Sequence, residues 1–259
     1  LNVWKKFTDR IGFWIDQEDP YITYENYYIE AVWNILKKVE EKKLLYKDYK
    51  VVPWCPRCET GLSSHELAQG YEDVKENSVT VKFRILGQEK TYLLAWTTTP
   101  WTLPGNIALA VGENIDYVKI KIGEELLILA KTRLSIIKDK YEIVEEIKGK
   151  NLIGLKYDPL FHYAEKFASE SEKEKLKKNA FKIYPANFVT TEDGTGVVHT
   201  AVMYGQEDFE LGNEIGLPKI HLVNPDGAFK EGMDFLSGRF VKEKDEKDKP
   251  TLDIEILNY

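Results

Sequence analysis

Long apolar runs are missing from this 259-residue chain. None approaches the roughly 20 residues that cross a bilayer, and no basic-then-apolar leader opens it. Positive charge is also in short supply. With 36 Lys and Arg against 43 Asp and Glu the formal charge is −7, which excludes a protein whose grip on nucleic acid comes mainly from neutralising phosphates. Any nucleic-acid backbone must be held largely elsewhere. The expectation is a soluble cytoplasmic protein with no membrane partner.

Cysteine is nearly absent as well. The two residues present are Cys55-Pro56-Arg57-Cys58, a spacing that suits two thiolates on one metal ion. A closed structural zinc site takes four ligands, and no second pair follows. The histidines His65, His162, His199 and His221 are not at finger spacing. Half a zinc site and a knuckle with free thiols therefore both stand. A redox pair is disfavoured, because the following "ETGLSS" does not open a helix. Catalytic signatures are missing too. Gly194-Thr195-Gly196 lacks the Lys-Ser/Thr ending of a phosphate loop and the spacing of a dinucleotide fingerprint. No Ser-His-Asp, Cys-His or metal-hydrolase pattern is present, so any chemistry works through positioned water rather than a covalent nucleophile.

What the chain does contain is patterned. From Thr23, Ile29, Val32, Trp33, Leu36 and Val39 fall on one helical face, which predicts an amphipathic helix docked on a core. From Ser78 the period becomes two, with Val79, Val81, Phe83 and Ile85 alternating with polar residues as in a half-buried strand. Further strands are expected at 91–95, 107–111, 117–122, 126–130, 141–147, 182–184, 195–201 and 220–223. Many short strands with regular turns favour a barrel or sandwich. A charged run at 162–181 reads as a surface helix. A second helix follows Gly205 and stops at Gly216 and Pro218. The tail "KEKDEKDKP" reads as a charged linker.

Three features are candidates for function. "AWTTTPWTLPGN" (residues 95–106) packs hydroxyls where a strand should end. It is either an exposed strand end stopped by Pro100 and Pro104, or a wall of hydroxyls and amides that binds a polar substrate and orients water. His199 sits inside a strand pattern, where a packed core histidine is the commoner outcome. Asp208 either complements a helix dipole or offers a fixed carboxylate to a ligand ammonium.

Taken together, these stretches resemble the isoleucyl-tRNA synthetase family, in the editing region inserted into its class I catalytic domain. "AWTTTPWTLPGN" is similar to the family's threonine-rich editing motif, and "GTGVVHTAVMYGQEDF" to its second one. "YKVVPWCPRCETGLSSHELAQGYED" is similar to the entry into the insertion in archaeal and eukaryote-like members, and "GFWIDQEDPYITYENYYIEAVWNILKKVEEKKLLYKDY" to the helical piece before it. Valyl and leucyl enzymes carry a Thr-Thr-Arg-Pro type sequence at this point, where this chain reads Thr97-Thr98-Thr99-Pro100-Trp101-Thr102. Val202 departs from the proline common after His-x-Ala. Both aminoacylation motifs are absent, so no isoleucine activation is expected.

The resemblance implies a β-rich α+β fold. Its parts are a flanking segment at 1–70 with a helix and the CxxC knuckle, an editing β-barrel with peripheral helices at 71–240, and a return linker at 241–259. It implies an excised piece of a synthetase that hydrolyses the ester of mischarged Val-tRNA(Ile), and possible action on valyl-adenylate. By resemblance, Asp208 holds the α-ammonium. Thr97, Thr98, Thr99 and Thr102 line the pocket, with Thr98 and Thr99 acting on the water. Trp96 and Asn106 shape the adenosine side, and His199 gates side-chain size. Editing needs no cofactor. Zinc belongs only to the full-length enzyme, where Cys55 and Cys58 are half a site shared with a later pair. The implied partners are the tRNA(Ile) 3′ end carrying valine and the rest of the synthetase. A tRNA-docking module without activity and a free-standing trans-editing hydrolase are the competing readings.

Overall fold

The computed structural model describes residues 2–243 and 251–259. The chain forms two compact units, Leu1–Lys50 and Val51–Tyr259. The first holds helices α1 (Asn2–Ile11) and α2 (Asn26–Glu41). The expected apolar face of α2 does form. No residue of either helix is buried, and Trp33 is 70% and Leu36 48% exposed. So short a unit has too little apolar surface to close a core of its own.

The second unit opens with a knuckle of two short strands, β1 (Trp54–Cys55) and β2 (Thr60–Gly61), and a one-turn helix α3 (Ser64–Ala68). A reciprocal capping box between Ser63 and Glu66 starts α3. The strands β3 (Val79–Arg84), β4 (Thr91–Thr97), β5 (Ala108–Val111), β6 (Asp116–Ile122), β7 (Glu125–Ala130) and β8 (Glu142–Lys148) follow. After them come α4 (Tyr163–Phe167), α5 (Glu170–Asn179), β9 (Ile183–Pro185), β10 (Val197–Thr200), α6 (Gln206–Ile215) and α7 (Leu252–Asn258). The charged run expected as one helix is two. It breaks where Ser169 and Glu172 form a second capping box. The strand expected at 220–223 is reduced to a single bridge between Val223 and Phe229. The linker reading falls largely outside the described residues, at 244–250, but its far end is α7.

The strands make a five-stranded sheet in the order β3-β4-β7-β6-β8 and a three-stranded sheet in the order β10-β5-β9. This is a mixed α+β fold with open sheets, not the expected barrel. Closure needs every terminal strand to find a partner, and β8 is built to remain an edge. All of its residues are exposed or half-buried. Its glutamates pair sideways with lysines, Glu145 with Lys119 at 2.9 Å and Glu146 with Lys131 at 2.6 Å. Charge of this kind blunts a strand edge against further pairing.

The sheets meet where β10 packs on β4, and the Ala130 amide joins them by donating to the Thr195 carbonyl at 2.9 Å. Phe83, Leu93, Leu109, Tyr117, Ile128, Ile183 and Val197 fill one core between them. That core fixes the end of β4 and the whole of β10, the two strands that carry the threonine stretch and His199.

Candidate active site

Strand β4 ends at Thr97, and the chain then turns through a 3₁₀ segment, Pro100–Gly105. Pro100 starts the turn, since its missing amide is not needed there. The turn folds the hydroxyls back on one another. Thr97 Oγ1 lies 3.2 Å from Thr99 Oγ1 and accepts the Thr99 amide at 3.1 Å. Thr99 Oγ1 lies 3.3 Å from Thr102 Oγ1. The Thr102 hydroxyl donates to the Thr99 carbonyl at 2.8 Å. Thr97 and Thr102 are buried, Thr99 is half-buried, and Thr98 is exposed.

His199 meets this cluster from β10. Its Nε2 is 3.0 Å from Thr102 Oγ1. Because the Thr102 proton is already directed at the Thr99 carbonyl, the ring nitrogen is the donor, which assigns the Nε2–H tautomer. Nδ1 is then an acceptor, and it is buried with no partner among the described residues. Burial lowers the His199 pKa to about 4, so the ring is neutral at physiological pH. An orphaned buried acceptor costs about 1–3 kcal/mol.

Asp208 lies in the first turn of α6. The Ala201 amide, just past β10, donates to its Oδ2 at 3.3 Å. Burial is the larger influence on this carboxyl and raises its pKa to about 7, opposed by the Ala201 amide. The expected contact set is thus only partly assembled. Thr97, Thr99, Thr102 and His199 are joined by hydrogen bonds, while Asp208 reaches them through the backbone that follows His199. Val202 is buried against Gly212 of α6, where an added Cβ would come within 2.7 Å of it.

The two residues expected on the adenosine side differ. Trp96 is half-buried and lies against Gly194, where a Cβ would stand 2.9 Å from the ring at φ +64°. Arg133 holds that loop by donating to the Gly194 and Glu192 carbonyls, both at 2.8 Å. Asn106 instead spends its amide inside the fold. Its Nδ2 donates to the Ala108 carbonyl at 2.8 Å, and its Oδ1 accepts the Tyr157 hydroxyl at 2.6 Å. Both residues are buried. Asn106→Ala should therefore destabilise by about 1–3 kcal/mol, by leaving the Tyr157 hydroxyl unpaired. Chemical denaturation checks this, and Tyr157→Phe paired with it should recover part of the loss.

The remaining pair lies in the knuckle. Cys55 is half-buried and Cys58 exposed, both as free thiols. Hydrogen bonds from the Cys58 amide and thiol push the Cys55 thiol down, while the Cys55 sulfur pushes Cys58 up. Among the described residues no group of three or more His, Cys, Asp or Glu side chains is placed to hold a metal. Two thiols alone do not fit a closed zinc site.

The sequence reading missed Tyr157 and the two aromatics that flank the turn, Trp101 and Tyr204, whose rings meet edge to face at 5.2 Å. An aromatic adjoining the threonines was visible in "TPWT", but nothing in the chain pattern marks its partner.

The fold thus gathers hydroxyls around a neutral imidazole, with a carboxyl on the next helix. Residues 1–211 match the family of class I tRNA synthetases (I, L, M and V), and the chain belongs to that family. It is 49% identical over 247 residues to an isoleucine–tRNA ligase of Clostridium acetobutylicum, covering 95% of this chain and 23% of that protein. It is 45% identical over 257 residues to isoleucine–tRNA ligase 2 of Bacillus cereus, covering 99% and 23%. Both relatives are bacterial, whereas the entry segment was read as archaeal or eukaryote-like. The chain thus spans about a quarter of their length. Among solved structures it is similar to the editing domain of P. knowlesi cytosolic leucyl-tRNA synthetase, with TM-score 0.39, 15% identity and coverage of 52% of this chain and 62% of that one. No helix among the described residues is long and apolar enough to cross a membrane.

Proposed function

We propose that this chain is the editing region of an isoleucine–tRNA ligase and hydrolyses the ester that joins valine to tRNA(Ile). Valine against isoleucine is the standard case for a second, hydrolytic sieve, because a pocket sized for the larger side chain rejects the smaller one only weakly. The observation that carries the reading is the hydrogen-bonded set Thr97–Thr99–Thr102–His199 beside the Asp208 carboxyl.

In this reading the valyl α-ammonium pairs with Asp208, and its positive charge draws the carboxyl back to its ionised form. The half-buried Thr99 and exposed Thr98 stand toward the substrate. Their hydroxyls and amides orient a water against the ester carbonyl and donate to the oxygen on which charge develops. Addition of that water and loss of the ribose oxygen release valine and free tRNA. His199 is neutral and hydrogen-bonded through Nε2, and it bounds the side-chain pocket rather than taking the proton. The same pocket acts on valyl-adenylate if its carbonyl reaches the same place. The partners are the tRNA 3′ end and the rest of the synthetase. Cys55 and Cys58 take part in zinc binding only if residues beyond this chain supply the other ligands, and no step depends on it.

The test is deacylation of Val-tRNA(Ile), with Ile-tRNA(Ile) as control. The expected result is hydrolysis of the first and sparing of the second. Thr99→Ala should lower kcat by about 10²-fold with little change in melting temperature, and Thr98→Ala should lower it less. Unchanged rates in the double variant would leave the threonines as a strand end and a turn. Absence of hydrolysis in the intact protein would favour a docking role without chemistry.

A further inference from the structure

The 3₁₀ turn that carries the threonines, Pro100–Gly105, ends on a glycine. The φ of Gly105 is not in the left-handed region, so backbone conformation does not call for glycine there. A neighbouring ring does. A Cβ at Gly105 would stand 3.0 Å from Tyr204 Cε2 and 3.5 Å from Cδ2. The same ring meets Trp101, the second residue of the turn, edge to face with centroids 5.2 Å apart. Tyr204 thus touches the turn on both sequence sides of Thr102, whose hydroxyl lies 3.0 Å from His199 Nε2.

Tyr204 is itself held by two hydrogen bonds that do not involve the threonines. Its hydroxyl accepts the Leu222 amide at 2.9 Å. Its own amide donates to the Ala201 carbonyl at 2.9 Å, which closes the turn by which the chain leaves β10. Ala201 also donates its amide to Asp208 Oδ2 at 3.3 Å. One residue therefore ties Tyr204 through its carbonyl and Asp208 through its amide. The next step has no slack either, because a Cβ on Gly205, the N-cap of α6, would come within 2.8 Å of Asp208 Oδ2. Among the described residues no hydrogen bond runs directly from the threonine turn to Asp208. The Tyr204 ring is the side chain of the 201–205 loop that meets Trp101 and Gly105 of the turn.

We propose that Tyr204 is a positioning residue for the hydrolytic site. Its ring, laid against Trp101 and Gly105, sets the offset between the threonine turn and the Asp208 carboxyl. This rests on the hydrolytic reading above. It goes beyond that reading by naming the contact that joins the groups orienting water to the group anchoring the ammonium. A displacement of about 1 Å between such groups costs on the order of 10²-fold in rate. The ring carries this role and the hydroxyl supports the ring, so phenylalanine should serve and a non-planar side chain should not.

The experiment uses the intact protein with Tyr204→Phe, Tyr204→Leu, Gly105→Ala and the double variant of the last two. Val-tRNA deacylation is measured alongside melting temperature and amide hydrogen exchange over residues 99–106. Tyr204→Leu should lower kcat about tenfold at unchanged KM and speed exchange across the turn. Tyr204→Phe should stay within about threefold of the wild type in kcat, with exchange unchanged. Gly105→Ala crowds the same contact from the other side and should also lower kcat about tenfold. In the double variant the ring that the new Cβ would meet is gone, so the two losses should not multiply. If leucine leaves kcat and exchange as in the wild type, or phenylalanine is as damaging as leucine, the proposal is wrong. Losses that multiply in the double variant, or a fall in melting temperature with kcat intact, would also overturn it. If leucine prevents folding, Gly105→Ala decides, since it keeps every side chain of the site and should still lower kcat. Should the wild type fail to hydrolyse Val-tRNA, the hydrolytic reading falls, and exchange in Tyr204→Leu still decides whether the ring holds the turn.

Discussion

Asp208→Asn is expected to reduce Val-tRNA hydrolysis by 10² or more in kcat/KM while making the protein more stable at neutral and alkaline pH. The two effects have one cause. The carboxyl is raised from 3.8 to about 7 by burial, so the folded state resists its ionisation. A folded pKa above the unfolded one gives stability that is full below about 3.8 and is lost as pH rises through about 7. At pH 8 the difference corresponds to roughly 2–4 kcal/mol, an upper range because the residue keeps some exposure. Asparagine removes that cost. The gap in melting temperature between variant and wild type should therefore open between pH 4 and 8. Asparagine also removes the charge that would meet the substrate ammonium, and loss of one partner of such a pair costs about 2–5 kcal/mol in binding. The wild-type kcat/KM should accordingly climb with pH to a limb near 7 and fall again as the substrate amine, near 7.7–8.0, loses its proton. A variant that loses no activity, or that melts at the wild-type temperature at pH 8, would remove Asp208 from this role.

That trade was only half visible in the sequence. The acidic first turn of α6 and its stop at Gly216 were legible from composition and punctuation, because helix ends are local chemistry. Alternation at Val79, Val81 and Phe83 marked a half-buried strand for the same reason. Sheet closure was not legible. Whether β8 pairs onward depends on what lies opposite it in space, and its glutamates declare an edge only once Lys119 and Lys131 are known to stand beside them. The site divides in the same way. The threonines, His199 and Asp208 stood out by type and by family resemblance. Asn106 was expected to shape the adenosine side, and the ties of its amide to Ala108 and Tyr157 are long-range or buried contacts that the sequence does not display.

His199 carries the other large effect, on specificity rather than rate. Buried and neutral with a pKa of about 4, it is a poor general base near pH 7. In the proposed reading its ring, held by Thr102, is a rigid wall instead. His199→Ala should open the space a further methylene needs and bring Ile-tRNA hydrolysis up by about 10–100-fold relative to Val-tRNA, the range one methylene commands. Loss of rate on both substrates without loss of discrimination would assign the ring to proton transfer. The same burial predicts an acid response. A histidine pKa depressed on folding contributes stability that is present above about 6.5 and is lost as pH falls through about 4. His199→Gln cannot take up the proton but keeps a donor for Thr102. It should flatten the fall in melting temperature between pH 6.5 and 4, a window worth roughly 3 kcal/mol if the depression is fully expressed. The two substitutions separate the jobs of the residue. Glutamine preserves bulk and should keep Ile-tRNA excluded, whereas alanine removes bulk and proton site together. An alanine variant with wild-type discrimination would leave His199 as core packing for β10, whatever its effect on acid stability.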